Sequence, residues 1–194
     1  RWYAVDINEE WVCSGDNKYY KEYYQISYDD ETWENVEPEQ TRTGELYEAE
    51  SEDCIDFTAR YFTIESLEDS NTISLNVHST ATGNTAYYST DSGSTWTAIA
   101  SGSGAKTIAT INIGQTIWLK ATSSISGQQA KWATDYNKNS YLNATKTYKV
   151  YGNAMSLLTG DDFATADTIT QTFALCGIFY GGNNSTKLIN VLDI

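Results

Sequence analysis

The chain opens as short strand-like runs of apolar and polar residues separated by polar turns, and its wealth of Thr, Ser, Asn, Gly and Tyr with little Leu, Met or Arg favours pleated strands over helices. The clearest run begins at Tyr20. Tyr20, Glu22, Tyr24, Ile26 and Tyr28 fall on one face, and Tyr19, Lys21, Tyr23, Gln25 and Ser27 on the other; the first is the candidate core face. The opening segment reads as short strands at Trp2–Val5, Glu10–Ser14, Tyr19–Tyr28, Thr32–Val36 and Glu45–Ala49, separated by Asn, Gly and Asp clusters. At Ser51-Glu52-Asp53-Cys54 the chain turns acidic and polar, which places a boundary there and predicts a small antiparallel β-module over 1–58.

A second set of strands follows at Tyr61–Glu65, Thr72–His78, Ala86–Ser89, Thr95–Ala100, Lys106–Ile111, Gln115–Ala121 and Lys146–Tyr151. Their number and close spacing predict an immunoglobulin-like β-sandwich over 59–151. Between Ala121 and Thr145 the pattern fades around Trp132 and Tyr136, the signature of a long loop or an irregular edge. Beyond Tyr151 the texture becomes two compact apolar runs, Ala154–Leu158 and Phe173–Tyr180, so 152–194 reads as a short mixed C-terminal segment with a short helix in one or both runs, open to being the start of a repeat region. The fold class expected is all-β.

Composition sharpens this picture. The 194 residues include 15 Tyr and 6 Trp but a single Pro, enough bulky apolar surface to offset the entropy of ordering the backbone. Acidic residues outnumber basic ones 26 to 12, a net charge of −14, which repels phosphate backbones and argues against nucleic acid and anionic membranes as partners. No apolar stretch approaches the ~20 residues of a membrane helix, so no membrane insertion is expected of this segment. The first residues do not resemble an export signal, which leaves either a chain soluble as written or a signal and anchor outside it.

Cys13, Cys54 and Cys176 are too scattered for zinc, and with His78 the one histidine, no metal site or cofactor is expected. Cys13 and Cys54 bracket the first module. They are predicted to lie within bridging reach, and a disulfide closing about 40 residues would stabilise it by roughly 4 kcal/mol; two thiols at bonding distance remain the alternative in a reducing compartment. Cys176, within Phe173–Phe179, reads as a buried free thiol.

One pattern occurs twice. Ser89-Thr90-Asp91-Ser92-Gly93-Ser94-Thr95-Trp96 fits S-x-D-x-G-x-T-W, the Asp-box, and Ser27-Tyr28-Asp29-Asp30-Glu31-Thr32-Trp33 is a copy one residue shorter that lacks the glycine. In the full copy Asp91 is expected to accept turn N–H groups, Gly93 to supply a backbone angle closed to other residues, and Trp96 to pack over the hairpin formed with Ser89 and Thr95. Asp-boxes also occur in sialidase propellers, which motivates a glycan-active enzyme or its carbohydrate-binding accessory domain as the competing reading. A propeller needs at least ~4 four-stranded blades, more than two small units provide. Ser101–Thr107 looks like a phosphate loop but carries Ala105 where glycine is required, and reads as a hairpin loop. His78 has no Ser or Cys partner at a telling spacing, and Asp161-Asp162 and Asp29-Asp30-Glu31 read as solvated turn acids ahead of calcium ligands. No catalytic residue emerges. Tyr19, Tyr23 and Trp33 are the candidate binding residues, able to stack on sugar rings if exposed.

The run from Trp2 through Cys13-Ser14-Gly15-Asp16-Asn17-Lys18-Tyr19, Thr32-Trp33 and Arg42-Thr43-Gly44 to Ser51-Glu52-Asp53-Cys54 resembles a small repeat module of surface proteins of gut Bacteroidetes and of virion proteins of their phages. Tyr151–Phe163, with Phe173 and Phe179-Tyr180-Gly181-Gly182, resembles the lead-in to leucine-rich repeats in surface proteins of the same bacteria. The resemblance implies a non-catalytic spacer or interaction module of a larger protein, on the cell surface or the virion exterior. Its implied partners are other domains of the same longer chain and a surface glycan or protein receptor, engaged in adhesion.

Overall fold

A computed structural model describes residues 4–27, 29, 31–35, 41–49, 51, 54, 56–78, 84–102, 104–135, 138–180 and 187–192. The protein is all-β, and its chain divides into two compact units, Arg1–Asp56 and Phe57–Ile194.

In the first unit β1 (Ala4–Ser14) and β2 (Asn17–Ser27) form a long hairpin in unbroken register, from Ala4↔Ser27 to Ser14↔Asn17. The two separate strands expected before Ser14 are therefore one, because the polar stretch Asp6–Glu9 finds a ladder partner in β2 at every position. Gly15, at φ +60°, makes the tight reversal possible. The other edge of β2 is shared by β3 (Glu34–Asn35) and β4 (Thr41–Glu48). Lys18 pairs with Cys13 on one side and Glu48 on the other, so the chain leaving β4 has only to cross β2 to regain β1. Cys54 N–H donates to Ser51 C=O, and Cys13 and Cys54 are joined in a disulfide with Cα atoms 5.2 Å apart. The side chains of Tyr20, Glu22 and Tyr24 and the whole of Tyr28, proposed for the core face, lie outside the described residues.

The second unit contains a six-stranded sheet, in the order β13-β12-β5-β10-β7-β8, and a three-stranded sheet, β11-β6-β9. The strands are β5 (Phe62–Ser66), β6 (Asn71–Asn76), β7 (Asn84–Ser89), β8 (Thr97–Ile99), β9 (Lys106–Ile111), β10 (Thr116–Ser123), β11 (Tyr141–Ala144), β12 (Tyr148–Tyr151) and β13 (Leu188–Leu192). Phe62, Ile64, Ile117, Leu119 and Val150 of the larger sheet share one core with Ile73, Leu75, Ile108 and Leu142 of the smaller, which makes the unit a β-sandwich. Alternation does the sorting along β10, where Ile117, Leu119 and Ala121 are buried while Trp118 and Lys120 face outward.

Two expectations need correction, and a third gains detail. Ser101–Thr107 is not a hairpin loop: β8 and β9 belong to different sheets, so it carries the chain across the sandwich. The stretch after β10 is irregular, as expected, yet closely packed: Trp132 is fully buried, its indole N–H donates to Leu157 C=O at 2.6 Å, and Ala130 N–H reaches Leu158 C=O at 2.7 Å. Residues 152–194 do not stand apart, since Leu157, Leu158, Ala174 and Ile178 belong to the same core. The expected short helix is α1 (Ser156–Thr159), whereas Phe173–Phe179 forms successive turns rather than a helix.

Ser156 links α1 to the sheet. Phe62 and Leu119 are opposite one another on β5 and β10, but the Phe62 N–H donates to Ser156 Oγ at 2.9 Å and that hydroxyl donates to Leu119 C=O at 3.0 Å. A buried side-chain hydroxyl thus relays a bond between the paired strands.

Candidate functional site

Both Asp-box segments connect antiparallel strands. In the full copy, between β7 and β8, Asp91 Oδ1 accepts from Thr95 N–H at 2.9 Å and Oδ2 from the Thr95 hydroxyl at 2.6 Å. Ser89 Oγ accepts Gly93 N–H at 2.8 Å and donates to Asp91 Oδ1 at 2.7 Å. These donors hold Asp91 ionised, the Thr95 hydroxyl foremost, and bring its pKa down to about 2. Gly93 adopts φ +83° under the Trp118 ring, where a Cβ would come within 3.1 Å of the indole. The shorter copy, between β2 and β3, lacks that glycine and compensates through its acid: Asp29 Oδ1 takes both Glu31 N–H at 2.9 Å and Thr32 N–H at 2.8 Å, and Oδ2 the Thr32 hydroxyl at 2.8 Å. Its carboxyl is held far below the usual range, chiefly by the Thr32 N–H.

Tyr19 and Trp33 of the sequence-derived binding set lie apart. Trp33 is exposed and precedes Glu34, the partner of Ile26, whereas Tyr19 lies near the other end of β2, roughly 24 Å away at ~3.4 Å per residue. The side chain of Tyr23 lies outside the described residues. His78 is half-buried just past β6, its N–H donating to Ser140 Oγ at 2.9 Å, and Cys176 is a half-buried free thiol. Among the described residues, no three His, Cys, Asp or Glu side chains converge as metal ligands, and no helix is long and apolar enough to cross a membrane.

A different cluster forms on the outer face of the six-stranded sheet. Tyr61, at the start of β5, has its ring centre 5.0 Å from Trp96, 5.6 Å from Trp118 and 4.6 Å from Phe163. Phe163 comes from the 3-10 turn Gly160–Thr165, which also presents Asp161. Asp161 Oδ1 accepts the Tyr61 hydroxyl at 2.7 Å and the Lys120 ammonium at 2.6 Å, while the same ammonium stands 4.2 Å from the centre of the Trp96 ring. Lys120 foremost holds Asp161 below its ordinary range; burial, then the neighbouring carboxylate, pushes Tyr61 up to about 12, so it stays a neutral hydroxyl donor. Asp161 is 66% exposed, whereas its cation is only 12% exposed. The arrangement offers an ionised acceptor at the rim of a half-buried aromatic surface.

From the sequence Asp161 reads as a solvated turn acid, and no motif marks Trp118 or Lys120. Strand alternation puts the last two on one outward face, a signal present in the sequence. Nothing local announces that Asp161, 41 residues later, folds back onto them. No protein-family model, curated protein or solved structure matches this chain.

Proposed function

We propose that the chain is a non-catalytic interaction module of an extracellular or virion-exposed protein, of the kind found on gut Bacteroidetes and their phages, and that it works in adhesion or receptor binding. The observation that carries this reading is the outward-facing cluster of Tyr61, Trp96 and Trp118 with Lys120 and Asp161, since aromatic rings beside a few fixed polar groups are what recognition surfaces use. The Cys13–Cys54 disulfide supports an oxidising location. An immunoglobulin-like arrangement of the second unit is part of the proposal, supported by the central pairings β6 with β9 and β7 with β10 in opposite sheets.

The competing class is a glycan-active enzyme. Purified protein incubated with a panel of soluble glycans and receptor-bearing cells is expected to bind without releasing product. Turnover that one carboxylate substitution abolishes would overturn the non-catalytic reading.

A further inference from the structure

Charge balance and geometry on the outer face of the six-stranded sheet bear on what this surface takes. Asp161 uses only Oδ1 for Tyr61 and Lys120; among the described residues Oδ2 accepts nothing, and the side chain is largely exposed. The ammonium lies 2.6 Å from Oδ1 and 4.2 Å from the centre of the Trp96 ring, so carboxylate and indole are no more than about 7 Å apart. The ammonium itself fills the space between them, so a pyranose would lie over the rim of the cluster, its axial C–H groups against the partly exposed Trp96 ring and its hydroxyls toward Asp161 Oδ2. The polar groups are already fixed, since Tyr61 and Lys120 hold the carboxylate in place before any ligand arrives, which lowers the entropic cost of binding.

Ligand charge is decided by the same groups. Lys120 is matched by Asp161, and on β12 and β5 of the same sheet Lys149 lies 3.4 Å from Glu65, which also accepts the Tyr151 hydroxyl at 3.2 Å. Each ammonium of these two sets is paired with a carboxylate, so neither offers an uncompensated cation to a sulfate, uronate or sialate. The net charge of −14 adds long-range repulsion against anions. We infer that the surface formed by Trp96, Tyr61 and Asp161 binds an uncharged glycan, with Asp161 Oδ2 accepting sugar hydroxyls beside the Trp96 indole.

This inference rests on the interaction-module reading and is tested separately from it. The full chain is titrated by calorimetry with neutral oligosaccharides (gluco-, manno-, galacto- and N-acetylglucosamine series) and with anionic ones (sialylated, uronate and sulfated), alongside Asp161→Asn and Trp96→Phe. Asp161→Asn keeps the size of an exposed side chain; Trp96→Phe keeps an aromatic ring in the hairpin and is accompanied by a melting curve. Tyr180→Ala, at a residue 83% exposed and outside the cluster, controls for unspecific aromatic adhesion. Binding of a neutral glycan, weakened about tenfold or more by Asp161→Asn and by Trp96→Phe but not by Tyr180→Ala, is the expected result. Neutral binding that both cluster variants leave intact overturns the site. Preference for anionic glycans, or no glycan binding at all, overturns the ligand class, and in either case capture of a protein receptor through the same face would leave the interaction-module reading standing. Hydrolysis would sink that reading as well.

Discussion

Asp91 and Ser156 show how one oxygen atom can govern a local structure, by opposite routes. The Asp91 carboxylate sits at the surface and is held ionised by the donors of its own turn, so its folded pKa lies below the unfolded value of about 3.8. A depressed acid contributes stability that is complete above the unfolded pKa and is lost as pH falls through the folded one. The clasp of the β7–β8 hairpin is therefore expected to loosen between about pH 4 and pH 2, with that of Asp29 persisting to lower pH still. NMR titration of the two carboxyls checks this; an Asp91 midpoint near that of an unfolded chain would refute it. Asp91→Ala is expected to lower the melting temperature of the second unit without changing the ligand affinity of folded protein. Ser156 is buried and relays a hydrogen bond between β5 and β10, so Ser156→Ala leaves the Phe62 N–H and the Leu119 C=O without their shared partner. The cost is expected to be about 1–3 kcal/mol, read from the urea midpoint. An unchanged midpoint would mean that the strands close directly on one another.

Elements depend on where the backbone must pass close to another chain segment. Gly152 follows β12 at φ +91°, in contact with the backbone of Tyr61, where a methyl group would run into the Tyr61 carbonyl. Next to it, Asn153 bridges to Tyr61 and its N–H donates to Arg60 C=O at 2.9 Å. Gly152→Ala combines a left-handed backbone angle with that collision and is expected to destabilise the second unit by at least ~1–3 kcal/mol. The same change should alter the environment of Tyr61, visible as a shift in near-ultraviolet circular dichroism. A variant that melts like wild type would show that the close approach relaxes at no cost.

At the scale of the whole molecule, stability is divided between two units held by different devices. The first is small and is closed by one disulfide that constrains a separation of 41 residues, worth roughly 4 kcal/mol on loop-closure grounds. The second holds no disulfide among its described residues and depends on a core into which Trp132, Leu157, Leu158 and Ile178 all pack. Reduction should therefore lower the unfolding transition of the first unit and leave that of the second in place, which scanning calorimetry with and without reductant resolves. Trp132→Ala should do the converse. Removing a buried Trp, with its bond to Leu157, is expected to cost the second unit about 3–5 kcal/mol.

Residue usage by itself pointed to the all-β class, through its Thr, Ser, Asn, Gly and Tyr, and the inward and outward faces of β10 are written in its sequence, because burial of one sheet face marks every second residue. The β7–β8 turn was equally legible, since Ser89, Asp91, Gly93 and Thr95 satisfy one another within seven residues. Cys13 and Cys54 marked the ends of the first unit, though the crossing that joins them depends on Glu48 pairing with Lys18. What only the tertiary structure decided has no local period. Trp132 sits in an irregular stretch whose hydrogen-bond partners include Leu157 and Leu158 of α1 and Ala174 of the turns that follow, and Ser156 completes a strand pair to which it does not belong. The candidate site is of the same kind: Trp96 comes from a turn, Tyr61 from a strand entrance, Lys120 from mid-strand and Asp161 from a 3-10 turn. Their meeting is set by where the C-terminal segment docks, which the spacing of those residues does not record.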